Sequence, residues 1–153
     1  YVAASRGGLL IYRTGEYKKP LHRIFHPLGY VSVEKSKGKI FAATPTQLQI
    51  IENNKVKVVA NKKSYIRNLS IIEDRLAISY GRNGIALFDG EKIDEFSAEK
   101  EGLRNVYKPV YYNGSILVGT KYGIGILKND EIVQWEVFPY SVPCYSLLNV
   151  RDE

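Results

Sequence analysis

The chain has 153 residues, enough for one domain with a sizeable core. Apolar residues make up 44%, an ordinary globular share, and no apolar run nears the roughly 18 residues of a membrane helix, which excludes a helical span. The net charge of +6 favours anionic partners in general, and the single cysteine, Cys144, excludes an internal disulfide.

The elements follow in chain order. YVAA at 1–4 and LLIY at 9–12 read as two short strands around a corner at 5–8, followed by a polar turn at Thr14-Gly15 and a looser strand, EYKKP, at 16–20. YVSV at 30–33 opens a second group. It continues through the turn KSKGK, IFAA up to Ala43, a corner at Thr44, LQII at 48–51, Asn53-Asn54 and VKVV at 56–59. NLSII at 68–72 opens a third, with EDR, LAIS up to Ser79, a corner at Tyr80, IALF at 85–88, Asp89-Gly90 and KIDEF at 92–96. SAEKEGLRN at 97–105 has room for one helical turn at most. YKPVYY at 107–112 opens a fourth, with NGS, ILVG up to Gly119, a corner at Thr120, IGIL at 124–127, Asn129-Asp130 and EIVQW at 131–135. YSLLNV at 145–150 begins a further group. Asn, Asp and Gly accept the positive φ of tight hairpins, and short strands separated by such turns indicate an all-β protein.

Each group therefore holds four strands, A to D, anchored at Ala4, Ala43, Ser79 and Gly119 with gaps of 39, 36 and 40 residues. Four-stranded antiparallel units repeated at this period are the pattern of β-propeller blades, so residues 1–153 are expected to form a single β-propeller domain or propeller segment of four repeats of about 38 residues. The run from Val106 to Leu127 resembles the two-component-regulator type of propeller repeat, a WD40-like blade. Val118, Gly119 and Thr120 match that family's strand entering a Gly-rich corner; Leu117 stands where the family has Trp, and its turn Asp is found only as Asp74. The resemblance implies a propeller fold and, at a finer level, a ligand-sensing segment of a larger receptor.

Two closures are open. Tyr145 to Ala4, counted across the termini, is 12 steps, as are Arg67 to Ser79 and Tyr107 to Gly119. The last strand then completes the first blade and seals a four-bladed ring. Alternatively the four units are part of a larger propeller, completed by another segment or by a second copy as a homodimer.

Loops D-to-A and B-to-C share one face of a propeller, and in this sequence that face carries the excess positive charge. It holds Arg6, Arg23, Lys62, Lys63, Arg82, Arg104 and Lys121, interleaved with Tyr65, Tyr80, Tyr122 and Tyr140. Arg and Tyr together suit a protein interface, the favoured partner, and cations with aromatics also suit RNA or another polyanion. Solvated, Lys-rich loops are the bland account of the same residues.

No phosphate-binding loop, dinucleotide fingerprint or nucleophile elbow occurs, so a non-catalytic role without a cofactor is expected. An enzyme with a site in the central cavity is the remaining rival. Gly123 and Gly125 lie inside a strand, where close packing accounts for them. His22 and His26, with Cys144 brought beside them by ring closure, form a weak candidate metal set, or a Cys–His nucleophile pair. Surface histidines and a packed thiol are the plainer reading. Cysteine usage fits a cytoplasmic protein, unless a signal preceded Tyr1 and directed the chain outside. The wealth of Lys, Ile, Val and Tyr without Met resembles thermophile usage.

Overall fold

The structure, a computed structural model, describes residues 2–4, 8–12, 15–16, 18–53, 55–62, 64–98, 103, 105–138 and 143–147. Among these there are strands and no helix. The chain divides into two compact units, Tyr1–Ile66 and Arg67–Glu153.

Unit one carries two antiparallel sheets. β1 (Val2–Ala4), β2 (Gly8–Ile11) and β3 (His22–Ile24) form the first, in chain order. β4 (Ser32–Ser36), β5 (Lys39–Ala43), β6 (Gln47–Glu52) and β7 (Lys55–Asn61) form the second. From Ile66 on, the last residue of unit one, the plan repeats twice. β8 (Ile66–Ile72), β9 (Arg75–Tyr80), β10 (Gly84–Phe88) and β11 (Ile93–Phe96) make one sheet. β12 (Pro109–Tyr112), β13 (Ser115–Thr120), β14 (Gly123–Lys128) and β15 (Glu131–Val137) make the other. Four successive antiparallel sheets, three with all of A to D, are the all-β propeller architecture expected from the repeat.

Turn chemistry explains the local pairing. Asn129 and Asp130 both take positive φ, 50° and 62°, as a type I′ hairpin requires. The A-to-B turns use Lys37, Glu73 and Asn113 in the same left-handed region. Asp89 accepts hydrogen bonds from the Lys92 and Glu91 amides at 2.9 and 2.8 Å, which hold its carboxyl below the usual range.

Central strands are buried along almost their whole length. In β9, β10 and β13 nearly every residue is shielded, so both faces are packed. That is why they read as apolar runs rather than alternating ones. Outer strands are different: β7 exposes Val56 and Val58, and β15 exposes Trp135 and Val137. Register shifts at Leu48/Gln49 and Ile124/Gly125 leave Val59 and Trp135 as extra residues in β-bulges. The Trp135 indole is thus 53% exposed on an outer strand. In unit one Leu9, Ile11, Tyr30, Ile40, Ala42 and Ile51 form a buried cluster. In unit two Ile72, Ile85, Leu87, Val106, Val118 and Ile132 belong to another, built from both sheets.

The first repeat departs from expectation. Its D strand is HRI at 22–24, pairing Leu9 with Ile24 and Ile11 with His22, rather than EYKKP at 16–20. Ile24 packs against the cluster around Leu9, whereas EYKKP offers no aliphatic side chain apart from Pro20, which lacks an amide hydrogen. Tyr145–Leu147 form no strand, and 148–150 lie outside the described residues, as does most of 97–105.

Candidate binding face

Corners between B and C strands are built by their first polar residue. Thr44 is fully buried and its Oγ1 accepts from the Gln47 amide at 3.0 Å. Thr120, also fully buried, accepts from the Tyr122 amide at 3.3 Å and donates to the Gly123 carbonyl at 3.1 Å. A short hydroxyl side chain here replaces the missing ladder bonds and fixes the loop. Tyr80 occupies the same place in the third repeat and is buried rather than open on the expected face; burial, and then the Glu95 carboxylate, push its phenol well up.

A backbone bond to a corner recurs at Ile66, Val106 and Cys144. Ile66 donates to the Pro45 carbonyl at 2.8 Å, Val106 to Gly81 at 3.0 Å, and Cys144 to Thr120 at 2.9 Å. Tyr30, Ile66, Val106 and Cys144 are all buried, and stand 36, 40 and 38 residues apart. Cys144 is therefore the thiol version of a repeated core position. Burial raises its pKa, which opposes a thiolate nucleophile, and the thiol lies 3.5 Å from the Ser146 carbonyl.

In unit two the residues that follow these buried ones form a row; sequence reading used them to count the repeat and gave them no role in a site. They are Arg67, Tyr107 and Tyr145. Arg67 Cζ lies 5.4 Å from the Tyr107 ring centroid, and the Tyr107 and Tyr145 rings meet edge-on, 4.9 Å apart at 69°. Arg67 Nη2 reaches Asn105 Oδ1 at 3.4 Å. Its Nε is buried without a hydrogen-bond partner among the described residues, against Gly81, where a Cβ would stand 2.5 Å from that nitrogen. The signal was present in the repeat spacing; what was lacking was the register that makes these residues neighbours.

Of the expected face residues in unit two, Arg82 is exposed in the corner after Tyr80. Lys121 is exposed in the next corner, with Nζ 4.8 Å over the half-buried Tyr122 ring. In unit one Arg23 is exposed, but it sits within β3 opposite Leu10 rather than in a loop, because HRI supplies the D strand. Tyr65 is 55% exposed, and Lys62 is half-buried with its amide bonded to the Thr46 carbonyl at 2.7 Å. Arg6, Lys63, Arg104 and Tyr140 lie outside the described residues.

The metal candidates separate by role. His22 is an exposed residue of β3, so the pair is not on a helix. His26 Nδ1 accepts from the Leu28 amide at 3.2 Å, and its ring meets Tyr30 edge-on at 5.9 Å. Among the described residues no group of three His, Cys, Asp or Glu side chains is placed to hold a metal ion.

No family model matches the chain, and no curated protein does. Solved structures do. The computationally designed Ika8 protein aligns with a TM-score of 0.65 at 10% identity, over 86% of this chain and 44% of its own. The computationally designed Ika4 protein aligns at 0.57 and 8%, over 72% of this chain and 73% of its own. The N-terminal domain of Nup159 aligns at 0.51 and 15%, over 79% of this chain and 34% of its own. The chain thus spans less than half the length of two of these three neighbours. At such identities the likeness speaks to fold alone, and that fold is the β-propeller.

Proposed function

We propose that the chain is a non-catalytic binding module that takes a protein partner on its corner loops. One observation carries the reading: cations are laid over tyrosine rings where the loops emerge, Lys121 over Tyr122 and Arg67 over Tyr107. Arg and Tyr are enriched at the energetic centres of protein interfaces because each joins a large contact area to a polar end. The backbone bonds of Val106 and Cys144 to neighbouring corners support the same reading, since a loop held in place binds without first being ordered. Arg82 extends the cluster in unit two, while Arg23 and Tyr65 offer similar chemistry in unit one.

The test uses the double variant Arg82→Glu/Lys121→Glu on immobilised Glu-Tyr copolymer and on immobilised single-stranded RNA. Retention on the copolymer that weakens in the variant, at an unchanged melting midpoint, supports a protein-binding face. Retention only on RNA, falling steeply between about 50 and 200 mM salt, replaces it with polyanion binding. A variant that unfolds would make these side chains structural.

A finer assignment, to a sensing propeller of the two-component-regulator type, draws on Val118, Gly119 and Thr120, which end β13 at the corner. A natural reading frame running on from this segment into a signalling domain supports it. A frame without one overturns it.

A further inference from the structure

The row Arg67–Tyr107–Tyr145 goes beyond the corner cations, although its ligand class rests on the protein-binding reading above. We propose that it is a carboxylate-reading site for an acidic peptide segment. An Asp or Glu side chain would take the Nη donors of Arg67, and the neighbouring peptide side chain would lie on the ring of Tyr145.

The guanidinium is held on both sides. Tyr107 lies along one face at 5.4 Å, and Gly81 leaves room for Nε on another. Any side chain at position 81 would displace it. Its Nη edge is nonetheless barely used: among the described residues Nη2 makes one bond, to Asn105, long at 3.4 Å, while Nε is buried without a partner. A positioned cation with spare planar donors is the geometry that bidentate carboxylate binding requires. Among the described residues, segments 80–84, 105–108, 119–124 and 143–147 contain Arg82, Lys108 and Lys121 and no carboxylate, which favours an arriving acid; Glu95, beside Tyr80, is an opposing charge.

The rings favour a peptide over RNA. A run of bases stacks on successive open aromatic faces. Here the Tyr107 face is taken by Arg67, and Tyr145 stands edge-on to it, leaving Tyr145, 64% exposed, as the open ring. One ring beside one guanidinium reads one side-chain pair, not a strand.

The experiment is a titration of isotope-labelled protein with the Glu-Tyr copolymer, and separately with oligouridylate, following the Arg67 Nε–H and Tyr145 ring signals. Expected is a shift of both signals on copolymer addition. Arg67→Lys keeps charge but loses the planar fork, and should weaken copolymer binding at least tenfold; Tyr145→Ala, at an exposed site, should weaken it without touching the fold. Copolymer binding that moves only the Arg82 and Lys121 signals overturns this site and leaves the wider face standing. Shifts produced by oligouridylate alone overturn it in favour of RNA, and no shift with either probe overturns both readings.

Discussion

Gly119 shows how one residue is chosen by its neighbour. A Cβ there would collide with the Cys144 carbonyl oxygen and crowd its Sγ, which stands 3.3 Å away. Gly119 keeps the last blade's B strand close to the segment that follows. Gly119→Ala should therefore cost about 1–3 kcal/mol in urea unfolding, because backbone cannot yield as a side chain can. Gly38→Ala is the contrast: nothing lies within 4 Å of its Cβ, and the cost there is the strain of φ +77° alone. Tyr30 makes a similar point through polarity. Its buried hydroxyl donates to Gln49 Oε1 at 2.8 Å, and Gln49 in turn donates to Gln47 at 2.8 Å. Tyr30→Phe leaves a buried carbonyl unpaired and should lower stability by about 1–3 kcal/mol, read from the denaturation midpoint. Neither coupling is visible in the sequence, since 19 residues separate Tyr30 from Gln49.

Elements in this chain were legible where their chemistry is local. Turns written Asn-Asp, Asp-Gly and Asn-Gly fold as hairpins because only a few residues accept their φ. The corner threonines were legible for the same reason. Thr44→Val or Thr120→Val keeps the volume and removes the hydroxyl, so each should cost about 1–2 kcal/mol and speed hydrogen exchange at the Gln47 or Tyr122 amide. Illegible was the D strand of the first repeat, because EYKKP and HRI differ only in whether an aliphatic side chain meets Leu9 and Ile11. Bulges were illegible too. Gln134 stitches the β14–β15 irregularity by donating Nε2 to the Ile124 carbonyl at 2.9 Å and to that of Glu136. Gln134→Leu should loosen β15 selectively, seen as faster amide exchange in 131–137 with β13 unchanged.

At the scale of the molecule, alkaline pH is the expected weakness. Burial raises Cys144, Tyr30 and Tyr80 above their ordinary values of 9.0 for the thiol and 10.0 for the phenols. Below 9.0 folded and unfolded chains hold these protons equally, and stability is flat with respect to them. As pH climbs past 9.0 and then 10.0, the unfolded chain releases protons that the folded chain keeps, so stability falls until the folded groups ionise as well. The urea midpoint should hold steady from about pH 7 to 8.5 and drop above it, with Cys144→Ala removing the first part of the fall.

The sequence by itself determined the repeat, the all-β class and the order of strands, because apolar runs, turn residues and a period near 38 are properties of the chain read locally. Only the tertiary structure decided what the repeated positions mean. It made Cys144 the fourth member of a buried series with Tyr30, Ile66 and Val106. It also drew Arg67, Tyr107 and Tyr145 into one row. Residues 40 and 38 positions apart become neighbours only when hydrogen-bond register between strands is set, and register is fixed by packing at a distance rather than by the residues themselves.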